Sequence, residues 1–178
     1  MYPDILKFWF EEIKPSQWWV KDTLFDKLMV DRFMEIHKSA TQCELFPWRE
    51  SPEGRLAEVI VLDQFSRNMF RGLPQSFDFD SMALVLAQEA ILNEADKKLT
   101  VTERNFLYMP FMHSESLKIH DTAVELFQAN GIQGSLEFEI KHKNIIEKFG
   151  RYPHRNNILD RESSDEELAF LKQPGSGF

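Results

Sequence analysis

Val59-Ile-Val-Leu-Asp-Gln-Phe-Ser-Arg-Asn-Met-Phe-Arg71 is the run that decides the architecture. Its first four residues are apolar and cover every face of one helical turn, so other helices must enclose that turn. One turn later the run becomes polar, with Asp63, Gln64, Arg67 and Asn68. Asp63 and Arg67 stand four apart, the spacing at which a carboxylate and a guanidinium pair along a helix. Inside a protein they have to pair, because an isolated buried charge is very costly. Two readings follow. One is an interhelical structural network; the other is an anion site in which Asp63 holds Arg67, with Asn68 and Arg71 beside it.

Working outward, the run belongs to a helix over residues 52–70, ended by Gly72 and Pro74. Upstream lie a short aromatic helix over 3–12, with Pro3 in its first turn, and a longer one from an Asp22 cap to residue 41. In the latter, Phe25, Leu28, Met29, Phe33, Ile36 and Ala40 recur at helical spacing on one apolar face. Downstream, helices are expected over 79–93, started by Asp78 or Asp80, and over 102–109, stopped by Pro110. A Ser114 cap opens the next, which ends at Asn130-Gly131. Another covers 135–149 and ends at Gly150, and Ser164 caps a last one over 165–172. No strand pair is legible. The expected fold is all-α, a single domain over residues 1–172 of about seven to eight helices packed as antiparallel hairpins. Residues 173–178 form a flexible Pro-Gly-Ser-Gly tail. No fixed repeat period is legible.

The composition agrees with this and excludes several classes of function. A chain of 178 residues with sixteen Phe and four Trp can build one sizeable core without a metal or disulfide. Cys43 is the lone cysteine, which rules out an internal disulfide and a cysteine-based zinc site and suits a reducing compartment. The N-terminal apolar run is too short for a signal peptide and carries an acid where basic residues belong. No stretch approaches a membrane span, so a cytoplasmic location is expected. A net charge of −8 argues against nucleic acid. The charge is uneven, however: residues 1–140 carry 14 basic and 23 acidic side chains, whereas residues 141–161 carry six basic and two acidic. A cationic island sits in an acidic chain.

Two further constellations carry chemistry. In Tyr108-Met-Pro-Phe-Met-His-Ser-Glu115 the proline predicts a break, leaving His113 at a junction before a helix start. Unpaired N–H groups there favour an anion, and Glu115 complements the helix dipole. His113 is either an acid–base group or a ring bonded to a nearby carbonyl. In Phe149-Gly-Arg-Tyr-Pro-His-Arg-Asn156 the glycine and proline put Arg151, His154, Arg155 and Asn156 on irregular backbone, where functional residues concentrate. Arginine forks match carboxylates and phosphates, but they also tie down long connections. The remaining candidates read as structural. His37 belongs to a helix surface, Trp18-Trp19 close the core, and Cys43 has no activating neighbour. His120 and Asp121 are adjacent in a helix and do not face each other. No phosphate loop, His-Glu-x-x-His or Gly-x-Ser-x-Gly is present. A metal site through His113, Glu115, His142 or His154 is a lesser alternative; no metal or cofactor is expected.

Five segments together resemble the bacterial family called domain of unknown function 924. They are Leu6-Lys-Phe-Trp-Phe10, Trp18-Trp-Val-Lys-Asp22, Leu62-Asp-Gln-Phe-Ser-Arg-Asn-Met-Phe-Arg71, Pro110-Phe-Met-His-Ser-Glu115 and Phe149-Gly-Arg-Tyr-Pro-His-Arg-Asn156. The resemblance spans nearly the whole chain and implies an all-helical, tetratricopeptide-like fold. It supplies no activity and no residue roles, and fold alone assigns none.

The residues therefore point to a pocket for a small carboxylate- or phosphate-bearing compound. Arg67, Asn68, Arg71, Glu115, Arg151, Arg155 and Asn156 would line it. His113 and His154 would supply acid–base capacity, with Asp63 orienting a partner. The competing expectation is a non-catalytic module that binds an acidic peptide or partner protein through residues 141–161. The first requires the three polar stretches to meet in space.

Overall fold

The computed structural model describes residues 1–177. Among them there are eight helices and no strands, counting each π turn with the helix it continues. Helix α1 covers residues 2–12 and α2 is Thr23–Thr41. Helix α3 covers residues 52–69, α4 is Asp80–Leu92, and α5 is Val101–Met112. Helices α6, α7 and α8 are Leu117–Asn130, Gln133–Phe149 and Asp165–Leu171. None is long and apolar enough to cross a membrane.

The apolar turn at Val59–Leu62 does what its composition demands. Leu56, Ala57, Val59, Ile60, Val61, Leu62 and Phe65 are all fully enclosed, because α1, α2, α4 and α5 each pack against α3. The aromatic residues of α1 meet it from one side. Trp9 lies 5.6 Å from Phe65 and from Phe106 of α5, and Phe8 lies 4.7 Å from Phe33 of α2. Each such side chain contributes roughly 2–3 kcal/mol of burial. Beyond α5, helices α6 and α7 continue as consecutive hairpins, with Gly131 and Gly150 in left-handed conformation at their C-termini. A small second cluster of Ile145, Ile146 and Tyr152 lies at the end of α7, under Phe149 and Phe170.

Several local expectations need correction. Pro110 does not stop α5, which runs on to Met112. Proline removes one backbone bond, but burial of Phe111 and Met112 holds the last turn in place. Ser114 does not cap α6. That helix starts after Ser116, and the Ser114 hydroxyl accepts the Ser116 N–H instead. His37 is not on the surface. It is buried where α2 crosses α3, with Nε2 2.8 Å from Ser66 Oγ. Trp18 packs between Trp9 and Phe106, whereas Trp19 remains 60% exposed. Of the expected tail, residues 173–177 form a turn. Ser176 is buried there and bonded to the Leu171 carbonyl, while position 178 lies outside the described residues.

Two π turns interrupt the helices, Phe8–Glu12 in α1 and Val61–Phe65 in α3. The second adds a residue to the turn that carries Asp63, altering the face on which the following polar residues emerge.

Gly54 of α3 lies against the Trp48 carbonyl oxygen, so a Cβ there would overlap backbone rather than a movable side chain. Gly54→Ala should destabilise the protein by on the order of 3 kcal/mol. Gly134→Ala, with open space around its Cβ on helix α7, should be neutral or stabilising by about 0.5–1 kcal/mol. Urea denaturation of both variants checks this contrast.

Candidate functional site

The π turn of α3 carries the carboxylate at the centre of the site. Asp63 is fully buried. Its Oδ1 lies 2.7 Å from His113 Nδ1 and 3.0 Å from Arg67 Nη1, and Gln64 Nε2 donates to Oδ2 at 2.5 Å. Arg67 Nη1 also donates to the Asp63 carbonyl oxygen at 2.8 Å. The helical i,i+4 pair is therefore real, and the junction after α5 delivers His113 to the same carboxylate. Burial alone pushes Asp63 upward, but Arg67, His113 and the hydrogen bonds outweigh it and hold Asp63 below the ordinary carboxylate range.

An ionised Asp63 fixes the state of His113. Desolvation, reinforced by the Arg67 charge, lowers the His113 pKa despite Asp63, so the ring is neutral near pH 7. A neutral ring beside a carboxylate donates through Nδ1–H, leaving a lone pair on Nε2. Among the described residues Nε2 makes no hydrogen bond, and the side chain is 15% exposed. The result is a carboxylate-oriented imidazole with its second nitrogen open, the arrangement of a general acid–base group.

Two guanidiniums lie beside it. Arg67 reaches Asp80 in the first turn of α4, with Nη1 2.9 Å from Oδ1 and Nη2 donating to Oδ2 at 3.0 Å. Arg155 Nη1 donates to the same Oδ2 at 3.2 Å, and its Nη2 donates to the His113 carbonyl at 2.9 Å. Arg155 lies between aromatic faces, 4.6 Å from the centroids of both Phe77 and Tyr152. The structure thus joins Asp63 and Arg67 from the first stretch, His113 from the second and Arg155 from the third.

The other candidate residues lie elsewhere. Asn68 and Arg71 turn to α2, where Arg71 forks onto Asp26 at 2.6 and 2.8 Å and Asn68 donates to the same carboxylate. Arg151 forks onto Glu167 of α8 at 2.7 and 2.8 Å and bonds the Glu162 carbonyl. Asn156 is buried and bonds the Ser163 hydroxyl. Glu115 accepts the Tyr152 N–H at 2.7 Å and the fork of Arg161 at 2.7 and 2.9 Å. His154 lies 5.5 Å from the Tyr152 ring centroid and lines a different groove, with Pro153, Asn157, Leu168 and Leu171. Among the described residues no three His, Cys, Asp or Glu side chains are arranged to hold a metal ion.

Residue spacing gives no sign of three contributors. Asp80 reads as a helix start and Phe77 as a loop aromatic; both face Arg67 only because α4 folds back on α3. The third is Tyr152, whose hydroxyl donates to the Met112 carbonyl at 2.5 Å and lies 3.2 Å from His120 Nε2. His120 pairs through Nδ1 with the fully buried Glu139 at 2.7 Å, a contact between α6 and α7 that local sequence cannot reveal.

The buried rings make stability pH-dependent. Burial lowers His142 to about 3 and His154 to about 4. The unfolded chain protonates these rings near pH 6.5, whereas the folded chain resists protonation until far lower. Stability from these rings is therefore complete above about pH 6.5 and falls as pH drops, by up to about 1.4 kcal/mol per pH unit for each ring. Urea midpoints at pH 7 and pH 5 should differ by about 2–4 kcal/mol in unfolding free energy. His142→Asn should remove roughly half of that difference; an unchanged pH slope in the variant would contradict this assignment.

A family model described as bacterial protein of unknown function (DUF924) matches residues 5–175. A solved structure of a protein of unknown function from Agrobacterium tumefaciens is similar, with 39% identity and a TM-score of 0.92 over 96% of each chain. No curated protein matches. The five motif segments, the helical architecture and these two matches agree, and the chain belongs to the DUF924 family of bacterial proteins.

Proposed function

We propose that the protein binds a small carboxylate- or phosphate-bearing compound beside the Asp63–His113 dyad and performs acid–base chemistry on it. The observation that carries this reading is the open Nε2 of a neutral imidazole, oriented by a buried carboxylate and adjacent to two guanidiniums. Arg67 and Arg155 would hold the anionic group, and His113 Nε2 would take or give the proton. Asp63 touches no ligand in this scheme; it keeps the ring in the tautomer that leaves Nε2 basic.

A small ligand is favoured over an acidic peptide by the state of the cationic island. Lys143 pairs with Asp121, Lys148 with Glu166, Arg151 with Glu167 and Arg161 with Glu115. These charges are spent within the chain. The single exposed Cys43 supports a cytoplasmic site of action.

A thermal-shift panel of small carboxylates and phosphorylated metabolites tests the reading. A ligand at a hundred times its Kd should stabilise the protein by about 2.7 kcal/mol, a rise of a few degrees. Arg155→Gln should weaken that ligand at least about tenfold, since it removes a charge-assisted contact. In His113→Asn the amide can still donate to Asp63, so binding should persist while turnover drops by about a hundredfold or more. A panel in which no anion moves the wild-type transition would sink the proposal.

A further inference from the structure

The carboxylate between the two guanidiniums belongs to the chain itself. Arg67 meets both oxygens of Asp80, at 2.9 and 3.0 Å, and Arg155 adds a third contact at 3.2 Å. It approaches, without full alignment, the two-oxygen recognition that arginine forks give to carboxylates. Phe77, three residues before Asp80, faces both guanidiniums, at 4.6 Å from Arg155 and 5.9 Å from Arg67.

The fit is incomplete in two places. Asp80 Oδ1 is enclosed and close to Arg67, yet it receives no well-aligned hydrogen bond. Arg155 Nε is likewise enclosed, on a side chain only 8% exposed, and donates to nothing. They are two of several enclosed side-chain atoms without a hydrogen bond among the described residues. What sets them apart is that a donor and an acceptor are both left over within one ion-paired group. A carboxylate fixed to the first turn of a helix cannot adjust its plane to suit two arginines at once. A carboxylate on a free small molecule can.

Backbone bonds tie residues 77–80 together, with the Asp80 N–H donating to the Phe77 carbonyl at 3.1 Å, and Phe79 packs on the core near His37, so the side chain rather than the backbone is the loosely held part of Asp80. Among the described residues its oxygens meet only these two arginines, and α4 is entered at Phe79 without a side-chain cap bond. If released, the carboxylate would remain in the first turn of α4, where unpaired N–H groups favour a negative charge.

We propose that Asp80 is an internal stand-in whose carboxylate holds the place a ligand's carboxylate takes, so that the site selects carboxylates and admits them by outward movement of the Asp80 side chain, which loosens residues 77–80. This rests on the anion-site reading given above. A stand-in that occupies the fork nine-tenths of the time weakens a free ligand about tenfold.

Isothermal titration of wild type, Asp80→Asn and Asp80→Ser with sodium malonate, and separately with inorganic phosphate, tests it at fixed ionic strength. Far-UV circular dichroism establishes that each variant is folded. Both variants should bind malonate at least about tenfold more tightly than wild type, and malonate more tightly than phosphate. Independently of any variant, malonate should speed amide hydrogen exchange over residues 77–80 of the wild-type protein. If wild type binds malonate and the folded variants bind it no better, or if bound malonate leaves that exchange unchanged, the stand-in is refuted while the anion site stands. A preference for phosphate overturns the carboxylate selection. If none of the three proteins binds either anion, the anion-site reading falls and takes this inference with it.

Discussion

Burying an ionised carboxylate one residue beyond a fully enclosed apolar turn imposes a constraint that much of the architecture serves. Asp63 has no water to solvate it, so its charge must be met by protein groups, and it is met three ways: by Arg67, by the Gln64 amide and by the His113 ring. Removing one partner from such a group typically costs about 3–5 kcal/mol, because the remaining charge is stranded. The elements that supply those partners are consequently fixed relative to one another. Helix α3 carries the acid and the arginine, and the junction after α5 carries the histidine. Asp80 at the start of α4 neutralises the far side of Arg67, and Arg155 from the 150–156 segment completes the group.

Such an arrangement is poor value as a source of stability alone, since well-packed apolar side chains of similar size often do as well or better. What it provides that an apolar core cannot is a histidine with defined tautomer and an accessible second nitrogen. The second buried pair, His120–Glu139, works differently. It is wholly enclosed, and its Nε2 donates to the Ser114 carbonyl, with the Tyr152 hydroxyl alongside. It fastens α6, α7 and the 150–156 segment together, and Tyr152 in turn supports the aromatic face on which Arg155 rests. One histidine–carboxylate pair is open to chemistry; the other braces the element that brings Arg155 to it.

The cationic island shows how far local composition can mislead. In the sequence, residues 141–161 are a basic patch in an acidic protein. In three dimensions Arg151 and Arg161 fasten the long connection after α7 to Glu167 and Glu115, and Lys143 and Lys148 find acids on neighbouring helices. Exposed pairs of this kind add little individually, about 0–1 kcal/mol. The two arginine forks matter more because their carboxylates are partly or fully enclosed. Arg155, carried inward by the proline turn and set against two rings, keeps an enclosed Nε without a partner among the described residues, as does Arg161, whose terminal nitrogens fork onto Glu115.

The sequence alone determined what depends on near neighbours. Helical periodicity, the caps at Asp22 and Ser164, the left-handed glycines 131 and 150, and the Asp63–Arg67 pair are set within a few residues, so their physics can be read directly. The enclosure of Val59–Leu62 was legible too, since no surface helix is apolar all round. Tertiary structure alone decided the rest. His37 is buried because α2 crosses α3, and Pro110 stays within a helix because the core holds the residues after it. Asn68 and Arg71 turn away to Asp26 while Arg67, on the same helix, turns to Asp80. That choice is made by a π turn and by the positions of α2 and α4, through contacts 13 to 45 residues apart in the chain. Charge pairing over such separations is set by how helices stack, which no local spacing encodes.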